Sequence, residues 1–151
     1  MSAAPLSIRG VAHPPPRRDG GRNNPADLSR AEIQSTDLAG KPLLDEHDAD
    51  KRVGTVLASW EGPRGELRIA ANVENEQAQQ EVRNGSLRGL SLGTDMIMNM
   101  DGDVAYRGQA ELSVCAEGRR PGTWIDNVNG QVVHAVETFS ARRESKLPLP
   151  R

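Results

Sequence analysis

The chain has one cysteine, Cys115, so no internal disulfide framework can form and a thiolate-based zinc site is excluded. That usage suits a reducing compartment. Aromatic residues are almost as scarce, with two Trp, one Tyr and one Phe making up 3% of the chain. A core must therefore come from Leu, Val, Ile, Ala and Met, and stacking platforms for single-stranded nucleic acid are nearly missing. A formal charge of -2 leaves no global basic field, which disfavours binding by phosphate neutralisation and leaves room only for a local basic loop. No apolar run nears the roughly 18 residues that span a bilayer, and "MSAAPLSIRGVAHPPPRR" lacks the apolar stretch of a signal peptide. The expectation is an intracellular, non-exported chain with neither nucleic acid nor membrane as partner.

At 151 residues the length fits one domain, 1–151, with a real though not deep core. "LSIRGVA" has the composition of a short strand. Residues 13–27 are rich in Pro, Gly, Arg and Asn, too poor in apolar surface to fold alone, and are expected to be a mobile loop. "PADLSRAEI" predicts a helix of one or two turns, with Asp27 or Ser29 as cap and Glu32 in its first turn. "VGTVLASW" and "GELRIAANV", separated by "EGPR", predict a hairpin. "NEQAQQEVRNG" predicts a helix capped by Asn75 and closed by Gly85, leading through a tight turn into "SLRGLSLGTDM" with Ser91 in mid-strand. Strands at "QAELSVCAE", "TWIDNV" and "QVVHAVETFS" complete a set spaced as in a barrel or sandwich. The end, 141–151, has the composition of a tail or linker.

The glycine-flanked run "RNGSLRGLSLGTDM" poses the functional question, because such a strand can hold a hydroxyl open to a substrate. A serine becomes a nucleophile when a histidine takes its proton and a third group orients that histidine. The histidines are His13, in the Pro/Arg loop, His47, in the acidic "LLDEHDADKRVG", and His134, among the apolar neighbours of "QVVHAVE". Spacing alone does not choose between them. A structural role suits His134 best, and it is the reserve base. Cys115 has the character of a small buried hydrophobe. The Met residues of "DMIMNMDGD" alternate as in strand packing, and "DGD" is a turn.

Three segments, in order, resemble the capsid maturation serine proteases of herpesviruses (assemblins) and of tailed phages (prohead proteases). "LLDEHDADKRVGTVLASWEGPRGELRIAANV" is similar to the herpesvirus segment in which a histidine precedes a Gly-containing strand, a "PRG" turn and a further strand. "VRNGSLRGLSLGTDM" resembles the phage pattern of helix, "NG" and nucleophile strand, and the herpesvirus Ser-x-Ser-Leu strand. "LSVCAEGRRPGT" is similar to the herpesvirus Cys-Ala-x-Gly-Arg-Arg-x-Gly-Thr loop, and "LSIRGVA" resembles the opening strand of phage members. The likeness runs over about 5–125. It implies a mainly β fold with peripheral helices, an orthogonal, mostly antiparallel β-barrel of about seven strands.

The resemblance implies Ser91 as nucleophile and His47 as general base. Counted back from Cys115, the place of the herpesvirus second histidine is held by Glu111, as an acidic residue holds it in phage members, so the implied triad is Ser91, His47 and Glu111. Composition alone favours an exposed strand carboxylate at 111. A carboxylate there would fix the imidazole tautomer and stabilise the imidazolium. The Arg119 backbone N–H and the Arg120 side chain, through a water, are implied as oxyanion donors, with Gly118 and Gly122 letting the backbone approach the substrate. A solvated Arg pair in a turn is the plainer alternative.

The function so implied is a serine endopeptidase that cleaves scaffold or capsid precursor protein, and itself, inside a viral procapsid in the host cell. It needs no cofactor or metal, and herpesvirus members act as homodimers. "FSARRES" offers Ser-Ala and Ala-Arg bonds for self-cleavage. The rival is a non-catalytic capsid-assembly scaffold that keeps the barrel. An esterase finds no Gly-x-Ser-x-Gly elbow.

Overall fold

The computed structural model describes residues 4–98, 100–101 and 104–133, the side chains of 95–98 and 104–109 excepted. His134, the "FSARRES" segment, the 141–151 tail and the side chains of the Met/Asp cluster at 95–99 and 102–103 lie outside the described residues.

Alternation of buried and open positions is clearest in the strand β4, Leu67–Val73, where Leu67, Ile69, Ala71 and Val73 all point to one face and are fully buried. That period of two commits the face to a core. β3, Asp48–Glu61, pairs antiparallel with β4 across the "GPRG" turn, closed by Gly62 N–H donating to the Glu66 carbonyl at 2.7 Å. β1, Leu6–His13, covers the other edge of β4 and in turn pairs with β7, Ile125–Val128. β8, Gln131–Val132, ends that side.

On the far side of β3 lies β2, Pro42–Asp45, then β6, Val104–Cys115, then β5, Gly89–Met98. All pairs are antiparallel except β2 with β6, which run parallel. The result is one eight-stranded mixed sheet in the order β5-β6-β2-β3-β4-β1-β7-β8. It curls so that the start of β5 meets the start of β7: Gly89 bridges Trp124, and Leu90 N–H donates to the Thr123 carbonyl at 3.0 Å. Inside the curl Ile8, Leu43, Val56, Ile69, Leu90, Leu112 and Ile125 are fully buried.

The pairing is mostly antiparallel, as expected, but the expected barrel of about seven strands is corrected: the sheet is a curled half-barrel of eight strands, made mixed by one parallel pair, and the added strand is β2. Two adjacent leucines, both buried, give β2 no alternation, and its parallel partner is nearly seventy residues away. Its pairing is tertiary and leaves no local signal.

Among the described residues, two helices flank the sheet. α1, Arg30–Ser35, starts with a capping box in which Glu32 N–H donates to Ser29 Oγ and Ser29 N–H to Glu32 Oε1, an arrangement contributing about 1 kcal/mol. α2, Glu76–Arg83, is capped by Asn75 and buries Ala78, Gln79 and Val82 before Gly85, at φ 87°, turns the chain toward β5. Among the described residues no helix is long and apolar enough to cross a membrane.

Residues 14–27 form no helix or strand, yet several of them are hydrogen-bonded, Arg17 N–H donating to the Gly21 carbonyl at 3.0 Å and Arg30 N–H to the Gly20 carbonyl at 2.9 Å, and His13 belongs to β1 and is fully buried. Leu28 N–H donates to His13 Nε2 at 2.9 Å, which leaves Nδ1–H to donate to the Pro14 carbonyl at 2.7 Å. His13 is thereby a structural pin for this loop.

Candidate active site

β6 is the rail on which the site is assembled. Its antiparallel register with β5 sets Ser91 opposite Ser113 and Gly93 opposite Glu111, while its parallel register with β2 sets Leu44 opposite Ser113 and Asp45 opposite Val114. β2 then turns into β3 through Glu46 and His47 alone, both at positive φ, 50° and 63°. That is the geometry of a type I′ hairpin, which favours Asn-Gly rather than two bulky residues, at a cost of roughly 1–2 kcal/mol per residue. Three hydrogen bonds offset it: Glu46 N–H donates to the Val114 carbonyl at 3.0 Å, His47 N–H to Ser113 Oγ at 2.9 Å, and Ala116 N–H to Glu46 Oε2 at 3.1 Å. Strain held by several contacts is a common signature of a functional position.

The turn delivers the imidazole between a hydroxyl and a carboxylate. His47 Nδ1 lies 2.7 Å from Glu111 Oε1 and Nε2 lies 2.7 Å from Ser91 Oγ. A carboxylate only accepts, so Nδ1 carries the proton in the neutral ring and Ser91 O–H donates to the bare Nε2. Gly93 makes the arrangement possible, because a Cβ there would stand 3.0 Å from Glu111 Oε1 and 3.5 Å from His47 Cε1. Ser91 is 8% exposed and opens on a cleft of about 560 Å³ whose walls include Asp27, Gly93, Arg119 and Arg120.

The Gly-Arg-Arg loop divides its labour. Arg119 lines the cleft, and among the described residues no protein acceptor takes its backbone N–H. The Arg120 guanidinium turns inward: Nε donates to Asp27 Oδ1 at 2.8 Å, Nη1 to the Leu92 carbonyl at 2.7 Å and Nη2 to the Ala26 carbonyl at 3.0 Å. It ties the loop to the residue after Ser91 and keeps N–H groups beyond those three bonds. Gly118 packs on the Leu90 carbonyl and Thr123 and does not line the cleft.

Sequence reasoning missed two residues here. Ser113 is fully buried, accepts the His47 N–H and sits 3.3 Å from Nδ1. Its signal was strand alternation, since Glu111, Ser113 and Cys115 share one face of β6. Asp27, foreseen only as a helix cap, had none, because its partner lies 93 residues away. Cys115 is buried beside the site, and burial, with the Glu46 carboxylate second, pushes its thiol up to about 12. A protonated thiol is no nucleophile.

The fold resembles that of the herpesvirus proteases. KSHV protease in complex with a hexapeptide phosphonate inhibitor superposes with a TM-score of 0.58 at 16% identity, over 81% of this chain and 64% of that one. A further KSHV protease structure gives 0.51 at 17% identity, over 93% and 71%. Varicella-zoster virus protease gives 0.51 at 18% identity, over 82% and 64%. The chain thus spans just under two thirds of the length of the first and third. No family model and no curated protein matches the sequence. These likenesses support the herpesvirus side of the sequence resemblance and lend none to the phage side.

Proposed function

We propose that the chain is a serine endopeptidase that cleaves scaffold or capsid precursor protein, and itself, during maturation of a viral procapsid. The observation that carries this reading is the pair of 2.7 Å contacts running from Ser91 Oγ through His47 to Glu111. The likeness to proteases, one of them solved with a hexapeptide phosphonate inhibitor, supports a cleft that takes a peptide.

In this reading Ser91 Oγ attacks the scissile carbonyl carbon as His47 Nε2 takes its proton, and Glu111 stabilises the imidazolium. The oxyanion is received by the Arg119 N–H and a water held by a remaining Arg120 N–H. Each such donor contributes on the order of 3 kcal/mol to the transition state. His47 passes its proton to the leaving amine as the C–N bond breaks. Water, deprotonated by His47, then releases the acyl group from Ser91.

The test is labelling by a fluorophosphonate probe, which reports an activated serine whatever the substrate, with the site read by peptide mass. Label on Ser91 that vanishes in His47→Ala and falls in Glu111→Ala supports the reading. The assay is run with and without sulfate, which favours burial and would rescue a weak homodimer. Absence of label in both conditions turns the reading over in favour of a non-catalytic assembly protein that keeps the barrel.

A further inference from the structure

Beside the cleft lies a larger cavity, of about 980 Å³, that the peptidase mechanism does not use. Its size is at the top of the roughly 300–1,000 Å³ range of ligand sites. Its walls come from the Pro14–Arg18 stretch after β1, from Arg30 at the head of α1, from the turn joining β3 to β4, and from Pro121 and Gly122.

The chemistry of the lining is one-sided. Arg17, Arg18, Arg30 and Arg64 contribute four guanidinium groups and Glu61 one carboxylate, while Asp19 pairs with Arg17 at 3.0 Å, so the cavity keeps an excess of positive charge. Glu61 is already engaged, accepting from Gln34 Nε2 at 3.2 Å and lying 3.5 Å from Arg30 Nε. A concave wall with an excess of one sign of charge concentrates counter-charge, and guanidinium pairs well with planar carboxylates. The wall is also fixed in advance. Pro14, Pro15 and Pro16 have locked φ, and the Pro14 and Pro15 carbonyls accept from His13 Nδ1 and Asn23 Nδ2. A preset wall lowers the ordering cost of binding an extended chain.

Position supplies the second argument. Pro121 borders both this cavity and the cleft that holds Ser91, so a polypeptide running past Arg119 and Arg120 passes from one to the other. We infer that the arginine cavity binds an acidic stretch of the same polypeptide whose scissile bond lies at Ser91. The identity of that polypeptide rests on the peptidase reading; the preference for carboxylates does not. Nucleic acid fits less well, because among the described residues no aromatic side chain lines the cavity to stack a base.

Binding is measured by fluorescence anisotropy on the Ser91→Ala protein, so that catalysis plays no part. The probe is a fluorescein-labelled peptide of alternating Glu and Asp, compared with its Gln/Asn counterpart. The acidic peptide is expected to bind, less tightly as salt rises, and the neutral one not to. Arg18→Glu, and Arg18→Glu with Arg64→Glu, should weaken binding stepwise, by about tenfold in the double variant, as for two surface ion pairs turned repulsive, with unchanged thermal melting. Equal binding of the neutral peptide or full binding by the double variant overturns the inference, as does displacement by oligothymidylate at lower concentration than by unlabelled acidic peptide. In the active chain, a peptide phosphonate with an acidic extension should label Ser91 faster than one with a neutral extension. Equal rates, with the extension on either side, overturn the shared-chain claim. Failure of the peptidase reading shows separately, as absence of any fluorophosphonate label.

Discussion

At the scale of single residues the site depends on a few tenths of an ångström. Glu111 keeps the proton on His47 Nδ1 only while its oxygen stays at 2.7 Å. Glu111→Gln is therefore expected to lower kcat by about 10²-fold to 10⁴-fold, the cost of a wrong tautomer, whereas Glu111→His, whose neutral ring can still accept from His47 Nδ1–H, should retain more activity. Gly93→Ala tests the same contact from the other side. Its methyl must push Glu111 Oε1 off its position, so the labelling rate of Ser91 should fall while urea unfolding barely changes. Ser113→Ala strips the acceptor from the His47 N–H and should cost about 1–3 kcal/mol, lowering kcat with KM nearly unchanged. Cys115 gives a pH prediction. Its thiol is raised to about 12, so between the ordinary thiol range and that value the folded chain holds a proton that the unfolded chain has lost. Stability should thus fall as pH rises through that window, more in the parent than in Cys115→Ala, with no contribution at neutral pH. Ser91, His47 and Glu111 could be singled out as candidates because three motifs in order, and an offset counted from Cys115, pointed to them. Their convergence was not legible, since it depends on a register between strands that no spacing encodes.

At the scale of elements, what local chemistry dictates was readable and what partners dictate was not. The Ser29/Glu32 and Asn75 caps, the Gly85 turn and the β3–β4 hairpin follow from residues within a few positions of each other. β2 did not, having no pattern of its own, and its turn at Glu46–His47 carries no Gly or Asn to announce it. The 14–27 connection shows the same division: its composition predicted a loop, but its role comes from Asp27 gripping Arg120 from far along the chain. Both side chains are largely buried, at 8% and 15% exposure. Asp27→Ala should then destabilise by about 3–5 kcal/mol, because it leaves a buried guanidinium unmatched. Asp27→Asn, which keeps the packing, should cost less. In both, fluorophosphonate labelling is expected to slow, since Arg120 also holds the Leu92 carbonyl beside Ser91. Normal labelling in a destabilised Asp27→Ala would make the grip purely structural.

At the scale of the whole molecule, the curl of the sheet joins the loop carrying Arg119 and Arg120 to the strand carrying Ser91. The join is narrow. It consists of the Gly89–Trp124 bridge, the Leu90 and Ile125 hydrogen bonds flanking it, and the pairing of β1 with β7, where Val11 N–H donates to the Trp124 carbonyl at 3.1 Å. At its centre stands Gly10, where a Cβ would overlap the Trp124 carbonyl and stand 2.8 Å from Leu90 Cδ1. Neither the backbone nor the packed leucine can yield freely. Gly10→Ala should therefore force β1 and β7 apart at a cost of about 1–3 kcal/mol, a fall of several degrees in Tm. Because the same backbone anchors residues 116–124, the labelling rate of Ser91 should fall with it. Leu57→Ser, on an outward position that is half exposed, should change neither. Measuring Tm and labelling on both variants separates two roles for the curl: a lower Tm with an unchanged rate in Gly10→Ala would mean that closure only stabilises, and that β5 and β6 hold the reacting groups by themselves.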